Sequence, residues 1–83
     1  MANAQIAVGT TPTLLVAADP HDQTVILHAG NSATYIGNAS VSTTNGYLMD
    51  NKDKLTLSLG AYEALYGVVT TGSHVVYVYS VVN

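Results

Sequence analysis

From Lys54 to Leu59 the chain reads Lys-Leu-Thr-Leu-Ser-Leu, with leucine at every second position and a polar residue between. Successive side chains of a β-strand point to opposite faces, so this pattern gives a strand with one dry face and one wet face. A helix would scatter the same leucines around its circumference. The rhythm recurs along the whole chain. Gln23 to Ala29 places Val25, Leu27 and Ala29 on one face, with Thr24 and His28 on the other. Further strands are expected at Ala4–Val8, Thr13–Ala18, Ala33–Ile36, Tyr47–Met49, Ala64–Val69 and Ser73–Val81. Turn chemistry separates them at Asp19-Pro20, Ala29-Gly30-Asn31, Asn45-Gly46, Asn51-Lys52-Asp53, Leu59-Gly60 and Thr71-Gly72, where Asn-Gly and Gly-Ser pairs suit positive φ. Short strands at intervals of about eight to twelve residues indicate an all-β fold. The expected architecture is a small antiparallel β-sandwich or jelly-roll-like barrel of about eight strands. The only helical hint is a turn near Ala61–Leu65.

Two segments break the one-sided pattern. In the last strand, His74, Val76, Val78, Ser80 and Val82 share one face, and Val75, Tyr77, Tyr79 and Val81 share the other. Thr13–Ala18 sets Leu14 and Val16 against Leu15 and Ala17. An antiparallel sheet in water normally keeps one face wet, so two dry faces imply a strand central to the fold or one covered by another chain. So short a chain has little material to cover both faces itself, which favours a partner. Val76, Val78, Tyr77 and Tyr79 are the interface candidates on that strand. Ile6 and Val8 join them because residues 1–8, set off by Gly9-Thr10-Thr11-Pro12, could form an arm that adds a strand to a neighbour's edge, the equal alternative being that this stretch is an ordinary turn between two strands.

Length and charge support the same expectation. One domain of 83 residues has a thin stability margin, and with no cysteine it has neither disulfides nor thiolate metal sites. Association with copies of itself, or docking onto something larger, is the remaining supplement, and a symmetric homo-oligomer is expected, with a trimer its expected form. Only 8% of residues are charged and 48% are hydrophobic, which excludes a disordered, highly charged chain. Nucleic-acid binding needs several cations to neutralise phosphates, and only Lys52 and Lys54 are present. Met1–Gln5 lacks the basic start and apolar run of a signal peptide, and no apolar run is long enough to span a bilayer, so cytoplasmic assembly without a membrane partner is expected.

Residues with chemical potential are few. Asp19-Pro20-His21-Asp22 offers oxygen and imidazole ligands, but Asp-Pro opens turns and the spacing matches no calcium loop. Asp50-Asn51-Lys52-Asp53-Lys54 gathers four of the seven charges and reads as a solvated turn rather than a carboxylate pair for acid–base work. His28 and His74 lie on strands and suggest a zinc or pH role only if paired. No Ser-His-Asp order, phosphate loop or His/Glu metal motif can be assembled. No catalytic, cofactor or metal site is therefore expected, and the chain is not expected to be an enzyme. All six aromatic residues are tyrosines, a residue enriched at interfaces because it pairs a large apolar ring with one polar tip. Tyr35 and Tyr66 read as core-edge residues.

Several segments in order resemble a small all-β domain that recurs in tailed-bacteriophage virion proteins. They are Thr24-Val25-Ile26-Leu27-His28, Ser32-Ala33-Thr34-Tyr35-Ile36-Gly37, Val41-Ser42-Thr43-Thr44-Asn45-Gly46-Tyr47-Leu48, Leu55-Thr56-Leu57-Ser58-Leu59-Gly60 and Glu63-Ala64-Leu65-Tyr66-Gly67-Val68. Asn38 and Leu48 stand where such domains often carry a second glycine and a proline. The resemblance implies a structural role in a virion: a capsid decoration protein on the outer head surface, with the phage major capsid protein as partner. A tail, fibre or baseplate component that recognises a receptor or glycan is the alternative. A cellular ligand-binding module, or a small cupin-like enzyme with clustered His and carboxylate ligands, is the reading from a different class.

Overall fold

The computed structural model describes residues 2–30 and 32–83, so Met1 of the expected arm and Asn31 of the expected turn lie outside the described residues. Eight strands follow one another without a helix among the described residues. They are β1 Ala2–Val8, β2 Thr13–Val16, β3 Gln23–Ala29, β4 Thr34–Gly37, β5 Tyr47–Met49, β6 Lys54–Leu59, β7 Leu65–Val68 and β8 His74–Val82. Two four-stranded antiparallel sheets result, in the orders β1-β8-β3-β6 and β2-β7-β4-β5. The fold is a small β-sandwich.

The pairing is nested. β1 pairs with β8, β2 with β7, β3 with β6 and β4 with β5. The chain is thus one long antiparallel hairpin with its tip between β4 and β5. It is rolled up until β3 also meets β8 and β4 also meets β7. Rolling brings the apolar faces of the two halves together. Val8, Val25, Leu27, Ala29, Val76 and Val78 come from the first sheet; Leu15, Val16, Ile36, Met49 and Leu65 come from the second. Burying a side chain such as Leu27, 0% exposed, contributes about 2–3 kcal/mol.

The structure corrects the sequence reading in several places. Val76 and Val78 are 0% and 6% exposed, and Val8 is 0% exposed, so all three are core residues rather than surface for a partner. Their face of β8 is dry because the second sheet covers it. Ile6 is half-buried against the same core. The segment expected as an arm is β1, in register with β8 from Ala2–Ser80 through Val8–His74. In β2 the register shifts between Leu14 and Val16, so Leu15 and Val16 both point inward while Leu14 is exposed. Strict alternation had separated those two neighbours.

Asn45-Gly46 is not a two-residue hairpin. A longer loop joins β4 to β5, and Ser42 O accepts the N–H of Gly46 at 2.9 Å. Positive φ occurs at Gly72, in the expected Gly72-Ser73 turn, and also at Lys52 and Tyr62. Gly46 is glycine for space: an added Cβ would lie 2.7 Å from Tyr35 Cβ and 2.9 Å from Ser42 O. Gly37 faces outward on β4, and Val41 packs over it, so this loop lies against the outer face of the second sheet with Val41 buried.

Polar groups in the core have separate fates. Gln23, 4% exposed, donates its side-chain N–H to Ala17 O at 3.1 Å. Thr34 is fully buried, and its Oγ1 has no partner among the described residues. A buried hydroxyl without a partner costs stability, so Thr34→Val is expected to stabilise the fold by about 1 kcal/mol. Urea denaturation of the two proteins checks this, and a lower midpoint for the valine variant would refute it.

Candidate functional site

With its inner face committed to the core, the first sheet shows solvent a face whose composition follows from register. One cross-strand row runs Asn3, Tyr79, Ile26, Thr56, and the next runs Gln5, Tyr77, His28, Lys54. Ala7 and Val75 begin a third row. Ile26, Tyr77, Tyr79 and Val75 are 45%, 44%, 37% and 37% exposed, large values for such side chains at the middle of a sheet. The His28 and Tyr77 rings lie 5.9 Å apart at a 39° tilt. Between β3 and β8 they frame a shallow apolar depression of about 150 Å³, lined also by Ile26 and Tyr79.

These rows place apolar residues at the centre, amides of Asn3 and Gln5 on one side, and Thr56 and Lys54 on the other. None of the residues in these rows is a carboxylate. An apolar centre with a polar rim is the usual anatomy of a protein interface. The outer face of the second sheet differs, because its own loop covers part of it through Val41. Leu14 and Leu48, 44% and 43% exposed, remain there as separated residues on β2 and β5.

Of the interface candidates, the structure therefore places Tyr77 and Tyr79 on the open face and Val8, Val76 and Val78 in the core. Sequence reading missed Ile26. Its signal was present, since Thr24, Ile26 and His28 alternate with the inward residues of β3 and Ile26 is the apolar member of that outward set. Tyr62, 76% exposed with φ +64°, was also missed and stands in the β6–β7 turn, where its N–H donates to Asp19 O at 2.7 Å.

The polar clusters resolve into turns. Asp19 Oδ1 accepts the His21 N–H at 2.9 Å and lies 3.0 Å from its Nδ1, and the backbone hydrogen bond holds the Asp19 carboxyl below its ordinary pKa. Asp53 caps its own turn by accepting the Asp50 N–H at 3.1 Å. Among the described residues, no three His, Cys, Asp or Glu side chains come together as a metal-ligand set. A polar cup of about 330 Å³ lies at Gly37, Asn38, Ser40, Val41 and Asn45. Its amides serve the loop: Asn38 Oδ1 accepts from Ser40 N, Asn45 Oδ1 from Ser42 N, and Asn45 Nδ2 donates to Ser40 O. Among the described residues, no helix is long and apolar enough to cross a membrane. No family model, curated protein or solved structure matches the chain.

Proposed function

We propose that this protein is a non-enzymatic structural component of a phage virion, a decoration protein that attaches to the outer surface of the capsid. The observation that carries the reading is the open sheet face centred on Ile26, Tyr77 and Tyr79 (45%, 44% and 37% exposed), which has the composition of a docking surface. The nested strand order supports it at the level of fold. An eight-stranded hairpin rolled in this way resembles the jelly-roll arrangement, which capsid and lectin domains use among others. The segments from Thr24 to Val68 that resemble phage virion domains favour a virion among those uses. The partner is then the major capsid protein, and the protein acts in many copies after assembly in the host cytoplasm.

Attachment is apolar and hydrogen-bonded rather than ionic, because Lys54 is the one charged residue in the rows of this face. Binding the assembled lattice more tightly than free subunits would raise head stability by mass action. The test is to strip the protein from heads or delete it, then follow re-binding from low salt to about 0.5 M, where the Debye length falls to about 4 Å, together with the heads' melting temperature. Binding is expected to hold across that range, and decorated heads are expected to melt at higher temperature. Steep loss of binding with salt would refute the apolar mode. Localisation to the tail tip, with adsorption lost and heads equally robust, would replace this reading with receptor recognition. That alternative draws little support from the polar cup, where both ends of the Asn45 amide and the Asn38 Oδ1 already bond within the loop.

A further inference from the structure

β6 is the terminal strand of its sheet and pairs only with β3. The Ala29 N–H donates to Asp53 O at 2.9 Å, which sets the alternation of this ladder. Leu55, Leu57 and Leu59 direct their amide groups toward β3, and Lys54, Thr56 and Ser58 direct theirs to the open side. Such an edge is a template for another strand. Beside it the sandwich is incompletely closed, because the facing edge strand β5 has only three residues. Leu55 and Leu57 point inward yet stay half-exposed, lining an apolar groove of about 340 Å³ with Ile36, Leu65 and Tyr47. The opposite edge, β1, shows no such gap, and its Val8 is fully buried.

We propose that β6 pairs antiparallel with β6 of a second copy of this chain, across a twofold axis at Leu57, to form a dimer with one continuous sheet. Charge complementarity selects both the occupant and the register. With the axis at Leu57, Thr56 and Ser58 of the two copies exchange their outward N–H and C=O groups, and Leu55 meets Leu59 on the inner face. Lys54 then lies opposite Gly60 of the second copy. Gly60 has no side chain, and Glu63 takes that place: its carboxylate accepts the Gly60 N–H at 2.5 Å and sits 2.7 Å from where a Cβ would be. Position 60 faces outward, as Lys54 does, so the ammonium of one copy meets the carboxylate of the other, twice per dimer. Within one chain the two groups stand at opposite ends of β6, roughly 20 Å apart, and cannot pair. A one-residue slip would set leucines against polar residues. A slip that moves the axis to Thr56 sets Gly60 opposite Lys52, which has left the strand at φ +63°.

An axis perpendicular to the sheet keeps both Ile26–Tyr77–Tyr79 faces on the same side. The dimer can therefore dock two faces on one lattice, and the second contact gains from effective concentration. The twofold replaces the trimer expected from composition. It stands independently of what the docking face binds, so its failure and that of the virion reading are separate results.

Sedimentation equilibrium of the purified chain tests it. The wild type is expected to be a dimer at micromolar concentration. K54E and E63K each create two like-charge contacts per dimer and are expected to weaken it about tenfold or more. Mixed in equal amounts, they restore both opposite-charge contacts and are expected to form a heterodimer near wild-type affinity. Glu63→Gln keeps a carbonyl for the Gly60 N–H while removing the charge, and is expected to weaken the dimer a few-fold even if E63K folds poorly. A monomeric or trimeric wild type, a mixture no tighter than its components, or K54E and Glu63→Gln dimers as tight as wild type would overturn the proposal.

Discussion

Leu27→Ala is expected to leave little folded protein at room temperature. Leu27 is fully buried at the middle of β3, between β8 and β6, where neither neighbouring strand can move in to fill the space. Truncating a leucine at such a site costs roughly 3–5 kcal/mol, through lost transfer energy and the cavity left behind. The whole stability of a domain this small is on the order of 5 kcal/mol. Leu57 points the same way from β6, but at the open edge it is only half-buried, so Leu57→Ala is expected to cost about 1–2 kcal/mol. Thr56→Ala, on the exposed side, is expected to be nearly silent. Urea denaturation should therefore rank the three as Leu27, Leu57, Thr56 in falling cost. If Thr56 cost more than Leu57, the inward and outward residues of β6 would have been exchanged by a one-residue slip.

The strands themselves were legible because alternation is a local property. Lys54–Leu59 shows its dry and wet faces without reference to the rest of the chain, and the observed β6 has those bounds. What covers a dry face is not local. On β8, Val76 and Tyr77 both read as apolar, and only the rolling of the hairpin decides that the valine enters the core while the tyrosine meets solvent. The bulge at Leu14–Val16 was hidden for a related reason, since an extra residue changes facing without changing composition. Gly46 suggested a tight turn from its Asn-Gly pair, whereas its role is to let the backbone approach Tyr35 and Ser42. Ile26 was readable as an apolar residue on the outward face of β3, but its significance depends on Tyr77 and Tyr79 lying next to it, a contact 50 or so residues away along the chain that only register supplies.

The double variant Tyr77→Thr/Tyr79→Thr is expected to weaken attachment to heads by about 100-fold or more while leaving the domain folded. Tyrosines near the centre of an interface often cost 2 kcal/mol or more each on truncation, because they lose a large desolvated ring together with a hydrogen bond at its tip. Both rings sit on β8, in adjacent rows beside Ile26 and His28, so they would be removed from the same patch. The fold depends on them less. They point away from the core, and threonine, being β-branched, suits a strand as well as tyrosine does. Losses of packing against Ile26 and His28 should stay near 1 kcal/mol per site, read as a modest fall in the urea midpoint. Leu14→Thr/Leu48→Thr supplies the matched control, since those leucines are equally exposed on the other sheet. Binding isotherms on stripped heads, with both double variants shown to be folded, should separate the two sheets. Full binding by the tyrosine variant and loss by the leucine variant would move the docking face to the sheet formed by β2, β7, β4 and β5.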